Sequence, residues 1–125
     1  MIGVVQWILL TLLTAFMCLH IGIILKIIPY QMVWGGRLNT DKEMYRFEAV
    51  SIIMNAGLIL FVLMQIGLIT TPFSAKIMTY IMWGMTALFV LNTLGNALSK
   101  NKLEKLLFTP VTIIMAICTM ILALS

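Results

Sequence analysis

Charge is scarce in this chain. Eight Lys or Arg and four Asp or Glu make up about 10% of its 125 residues, where soluble domains carry roughly 25%. With 62% of the residues hydrophobic, a water-soluble fold of this length could not hide its apolar surface, because small domains expose a large share of their area. Residues that carry chemistry are scarce too. The one histidine, His20, excludes a haem clamped between two histidines. Cys18 and Cys118 form no CxxC pair of the kind used by zinc and redox sites, and their expected depths differ too much for a disulfide. The 11 methionines are dispersed as packing residues, without the closely spaced sulfur ligands a copper site needs. Phosphate-binding glycine loops, dinucleotide fingerprints, serine-nucleophile motifs, Asn-x-Ser/Thr acceptors and lipidation signatures are all missing. Nothing in the sequence calls for a metal or a cofactor.

What remains is dominated by four apolar stretches, about 2–28, 45–70, 77–98 and 106–124. A helix needs roughly 20 residues to cross about 30 Å of hydrocarbon. No Asp, Glu, Lys or Arg falls near the middle of any stretch. Barrel strands would alternate polar and apolar residues over about ten positions, whereas 52–69 is apolar on nearly every side. Backbone groups in lipid must pair internally, which continuous helix achieves. The expectation is an all-α, integral membrane four-helix bundle that forms a single domain with short connections. The first stretch has neither a basic leader nor a small-residue cleavage site before Pro29 and is expected to be retained rather than removed as a signal peptide. Gly57, Gly67, Gly84, Ala87 and Ala116 offer smooth patches on which a second copy could pack, so a homo-oligomer is expected.

The basic residues sort by connection. Lys26, Arg37, Lys42, Arg46, Lys100, Lys102 and Lys105 fall at the first and third connections, and Lys76 alone at the second. Short loops rich in Lys and Arg stay cytoplasmic, which places both termini outside and the 31–44 and 99–105 connections inside. The expected location is the plasma membrane of a bacterium or archaeon. The net charge of +4 is accounted for by attraction to anionic lipid heads beside the spans, and no nucleic-acid partner follows from it. Trp7, Tyr80 and Trp83 approach the outer interface, and Tyr30, Trp34 and Tyr45 the inner one, where amphipathic rings are favoured.

The polar residues inside the stretches carry the functional reading. Glu48, Ser51 and Asn55 follow at offsets of three and four and so share one helix face, as do Asn92, Asn96 and Ser99. Thr109, Thr112, Ala116 and Thr119 repeat the rhythm in the last stretch. Thr109-Pro110 reads as a cap and first-turn proline, so the regular last helix is expected to start there, leaving 106–108 along the interface. His20 lies about 9 Å along its helix from Lys26. Taking chain direction into account, His20, Glu48, Asn55, Asn92, Asn96 and Thr112 all fall in the inner half of the membrane. They are the candidate lining of a polar cavity open toward the cytoplasm or covered by the first loop.

That loop contains Trp34-Gly35-Gly36-Arg37. The two glycines permit a tight turn, and Arg37 is a candidate contact for an anion or a lipid headgroup. Three functions compete. The cavity could bind or transport a small polar or amphipathic molecule; the same side chains could only fasten helices in a structural assembly subunit; or His20 and Glu48 could act as proton shuttle and partner in an enzyme working on a lipid. Single cysteines placed at Asn39, Lys76 and Asn101 in a cysteine-free background test the orientation. Labelling of positions 39 and 101 only from the cytoplasm, and of 76 only from outside, is expected; the opposite pattern inverts the topology.

Overall fold

A computed structural model describes residues 2–32 and 37–125. Its helices are α1 (Ile2–Ile24), α2 (Asp41–Ile66), α3 (Ala75–Ala97) and α4 (Lys102–Leu124), with a single 3-10 turn at Tyr30–Met32 before α2. No strand occurs among the described residues. The shortest helices have 23 residues, about 35 Å at 1.5 Å per residue and enough to cross the hydrocarbon. Large apolar side chains such as Ile53, Leu91 and Leu106 point outward, a surface that water would not tolerate at this extent but lipid covers without cost. The protein is an all-α integral membrane bundle of four transmembrane helices.

The helix ends differ from the apolar stretches, because capping and not hydrophobicity sets them. Thr40 is the N-cap of α2, its hydroxyl accepting from Glu43 N at 3.2 Å, so the helix starts at Asp41, about a turn before the apolar run. Gly67 closes α2 in the left-handed conformation, φ 96°, with its N–H on the Leu63 and Met64 carbonyls. This glycine is used as a cap, a conformation costly for residues with a Cβ. Ser74 caps α3, accepting from Ile77 N at 3.3 Å.

The largest correction concerns α4. The helix starts at Lys102, capped by Asn101, and runs through Pro110 without ending. Thr109-Pro110 is therefore not its start, and 106–108 is helical. Pro110 removes one backbone donor, but the helix on either side is held by α3.

The α3–α4 contact is the closest in the bundle. Thr93 Oγ1 lies 2.9 Å from Thr112 Oγ1, and Thr86 Oγ1 lies 2.8 Å from Thr119 Oγ1. The two pairs sit seven residues apart on each helix and run in opposite directions, the repeat of an antiparallel helix pair. Small hydroxyl residues let the backbones approach and satisfy their polar groups across the interface. Met82, Met85, Phe89, Met115 and Leu122 fill the space around them together with Leu9 and Leu13 of α1. α1 packs on α2 and also on α4, while α2 and α3 barely touch. The bundle is thus an open ring, α2–α1–α4–α3, with its gap between α2 and α3.

Both ends are tied. At the end bearing the α2–α3 connection, the Gln6 amide of α1 donates to the Gln65 side chain of α2. At the opposite, basic end, Lys26 pairs with Asp41 at 2.5 Å. The Asp41 carboxylate, by hydrogen bond and charge, holds the Lys26 pKa above its ordinary value. A cation stabilised in this way contributes fully at neutral pH and is lost only as pH rises through the alkaline range. Lys26 has φ 62° where α1 ends, and Ile28 folds back until its side chain would meet a Cβ on Gly22 at 2.8 Å. A side chain at position 22 would have to push the end of the Ile28 side chain aside.

The threonine register gives a measurable expectation. A T93V/T112V double-mutant cycle, read by unfolding in mixed micelles, should return a coupling of about 0.6 kcal/mol and no more than roughly 1.7. A coupling of zero would mean the two hydroxyls do not hold α3 to α4.

Candidate functional site

The site is built at the basic end by sequence-distant residues. Leu38 tucks into a small core with Ile23 of α1 and Met44 of α2, burying all but 5% of its surface. This anchor fixes the chain just after the loop, one residue beyond Arg37. Across from it, Asn101 accepts from Glu104 N at 3.1 Å through its side-chain oxygen, and Ser99 Oγ donates to Glu104 Oε2 at 2.5 Å. Asn101 also donates to the Gln31 carbonyl at 3.3 Å, joining the α3–α4 connection to the turn before α2. Glu104 is a negative group in the first turn of α4, where the helix dipole favours it.

Between these anchors a recess of about 320 Å³ opens into the bundle. His20, Asn55, Asn92, Asn96 and Thr112 all line it, as does Arg37. Four helices and the first connection thus bring six of the seven sequence candidates to one place. Glu48 is the seventh and does not line the recess. It is 0% exposed and lies behind His20, whose Nδ1 is hydrogen-bonded to its Oε2 across 2.6 Å. That contact holds the imidazole ring and leaves Nε2 as the nitrogen available to the recess.

The lining divides by chemistry and depth. Arg37 and Glu104 stand at the basic end. His20, Ser51 and Asn96 come next, then Asn55, Asn92 and Thr112, and Leu13, Leu58, Phe89 and Met115 form the apolar bottom. Phe16 and Phe108, packed edge to face at 5.7 Å, line the recess where α1 meets α4. Some polar groups are satisfied by protein. Asn55 Nδ2 donates to the Leu13 carbonyl at 3.0 Å, and Thr112 donates to Phe108 O at 2.9 Å. Asn92 and Asn96 differ: their amides have no hydrogen-bond partner among the described residues. Neither is buried, Asn92 being exposed and Asn96 half-buried, so both amides remain accessible at the recess lining.

Sequence reasoning overlooked Glu104 and Ser51 as lining residues. Ser51 carried a signal, since it shares the stripe of Glu48 and Asn55. Glu104 carried one as well: Asn101 followed three residues later by Glu104 is a helix-start pattern, which would have moved the start of α4 and put the carboxylate on the bundle. Trp34, Gly35 and Gly36, the core of the expected loop cap, lie outside the described residues. Cys18 and Cys118 are free, and no group of three or more His, Cys, Asp or Glu capable of holding a metal occurs among the described residues. Comparison with family models, with curated proteins and with solved structures gives no match.

The His20–Glu48 contact makes a quantitative expectation. Replacing His20 by Leu leaves the buried Glu48 side chain without that donor and should lower unfolding stability by about 1–3 kcal/mol. The double variant H20L/E48M should recover part of the loss. Strict additivity of the two substitutions would show that the pair is not coupled.

Proposed function

We propose that this protein binds a small polar or amphipathic molecule in the recess at its basic end, and that this end faces the cytoplasm. The orientation is supported by the seven basic side chains gathered at the first and third connections against Lys76 at the second. The binding reading is carried by one observation above all, the unpartnered amides of Asn92 and Asn96 in a recess shared by all four helices. A purely structural role would use those amides as fasteners between helices. The fastening is instead performed by the threonine pairs of α3 and α4 and by Gln6 with Gln65. Neutral amides without a hydrogen-bond partner among the described residues are suited to recognise hydroxyl, ester or phosphate oxygens, for which they donate, while the carbonyl ends accept.

Arg37 gives the recess a cation, and His20 a second polar head with its geometry set by Glu48. The apolar bottom sets an amphipathic preference, because a wholly polar ligand would leave Leu13, Phe89 and Met115 facing its charged groups. A volume of about 320 Å³ is at the low end of ligand pockets and suits a headgroup with the first part of a chain.

Gly95 supplies the test. It lines the recess, and a Cβ built on it would meet nothing within 4 Å. G95L should therefore fold, with stability unchanged or raised by up to about 1 kcal/mol from the better helix former, while filling the space. The probe is monoolein, a one-chain amphiphile with an uncharged diol head, retained by the purified protein in native mass spectrometry. One retained copy is expected in the wild type, with retention reduced about tenfold in G95L, equivalent to about 1.4 kcal/mol. G84L is the control, because Gly84 also has open space around it but does not line the recess. Equal retention by all three proteins would leave only nonspecific lipid association and end the binding reading.

A further inference from the structure

The recess has a second opening, and the depth of that opening limits what can pass. Met54 of α2 and Leu91 of α3 both line the recess, yet their side chains are 49% and 65% exposed on the outer surface of the bundle. They flank the place where the ring is open, since α2 and α3 barely touch. Met54 lies about 20 Å along α2 from Asp41, the middle of that helix, and Leu91 about 9 Å along α3 from Ala97. The gap is therefore at the level of the acyl chains, deeper than the charged residues of the basic end. A molecule already dissolved in the bilayer can reach the recess through it without crossing water.

An opening at that depth selects against charge. An ionised head would shed its water to pass between Met54 and Leu91 and would meet only hydrocarbon in exchange, whereas hydroxyl and ester oxygens lose much less. The polar residues that α2 and α3 contribute to the lining are themselves uncharged: Ser51, Asn55, Asn92 and Asn96. Asn55 already donates to the Leu13 carbonyl. That leaves the amides of Asn92 and Asn96, which have no hydrogen-bond partner among the described residues. They stand one turn apart on α3, about 6 Å, and a glycerol esterified once carries hydroxyl and carbonyl oxygens over a comparable span. Each amide both donates and accepts, so each suits a hydroxyl as well as an ester. Formal charge gives no contrary pull, because apart from His20 the titratable lining is one cation, Arg37, and one anion, Glu104.

We propose that the recess takes an uncharged acylglycerol drawn from the bilayer and admitted sideways between α2 and α3. Its glycerol hydroxyls and ester oxygens bind the amides of Asn92 and Asn96, and its chain leaves through the gap beside Met54 and Leu91. The inference rests on the reading of the recess as a binding site and adds the class of ligand and its route.

The route is tested on the full chain in nanodiscs, loaded with monoolein, chased with deuterated monoolein and followed by native mass spectrometry. M54W/L91W narrows the gap by enlarging two side chains that already face lipid, and should slow exchange by about tenfold. I53W is the control, because Ile53 is exposed on the same helix but does not line the recess; its exchange should match the wild type. An exchange rate unchanged by M54W/L91W overturns the lateral route. Should that variant retain no monoolein, M54A/L91A decides: the widened gap should speed exchange by about tenfold, and an unchanged rate overturns the route. Equilibrium competition tests the class. Monoolein should be retained over oleoyl lysophosphatidate, the same chain and glycerol with a phosphate added, by at least about tenfold. Glycerol monoacetate in large excess, the same head and ester without the long chain, should not displace it. Equal retention of the two lipids, preference for lysophosphatidate, or displacement by glycerol monoacetate overturns the proposal. In each of these cases retention above the G95L level leaves the binding reading standing, and retention of neither lipid above that level sinks both.

Discussion

Polar groups placed in lipid need partners, and the pattern in which this chain meets that requirement shapes the bundle. Apolar burial between helices has little driving force when the surroundings are themselves hydrocarbon, so packing and hydrogen bonds decide which helices associate. α3 and α4 are joined by two threonine pairs. α1 and α2 are joined by Gln6 with Gln65 at one end, Asn55 on the Leu13 carbonyl in the middle, and His20 with Glu48 toward the other end. Each hairpin is complete in itself. The two hairpins meet through the apolar faces of α1 and α4, where Leu9, Leu13, Met115 and Leu122 share a core.

The candidate site follows from that division of labour. With α1 against α4, the outer helices of the two hairpins diverge, and the polar residues left over after the hairpins have been satisfied face the space between them. Asn92 and Asn96 are such residues. Glu48 is not, because His20 and complete burial hold it inside the first hairpin. The site is consequently less acidic than its residue list implies: Glu48 is buried behind His20, and the carboxylate that lines the recess is Glu104. The connections complete the arrangement from outside the spans. Leu38 and the Asn101–Gln31 bond fix the chain segments that carry Arg37 and Glu104.

The number and type of elements were legible in the sequence because the requirement behind them is local. Any 23-residue run as apolar as Ile2–Ile24 must hydrogen-bond its own backbone in lipid, whatever its neighbours do. The ends were less legible. α4 was read as starting near Pro110 because a proline in the interior of a helix is disfavoured, yet Asn101 starts it a full two turns earlier and packing against α3 carries it past the proline. Direction and offset were sufficient to gather His20, Asn55, Asn92, Asn96 and Thr112 at similar depth, since rise per residue converts sequence distance into depth in any straight spanning helix.

Depth is one coordinate; azimuth and partner choice are the others, and these belong to the tertiary structure. The sequence by itself determined that four helices cross the membrane and that their polar residues cluster toward one end. Which hydroxyls pair, that His20 meets Glu48, that the side-chain amides of Asn92 and Asn96 find no hydrogen-bond partner among the described residues, and that the ring opens between α2 and α3 were decided only when the helices packed. The physical reason is that helix rotation about its own axis is set by the fit of side chains from other helices. Residues up to 92 positions apart, from His20 to Thr112, acquire a common surface through contacts that no local pattern encodes.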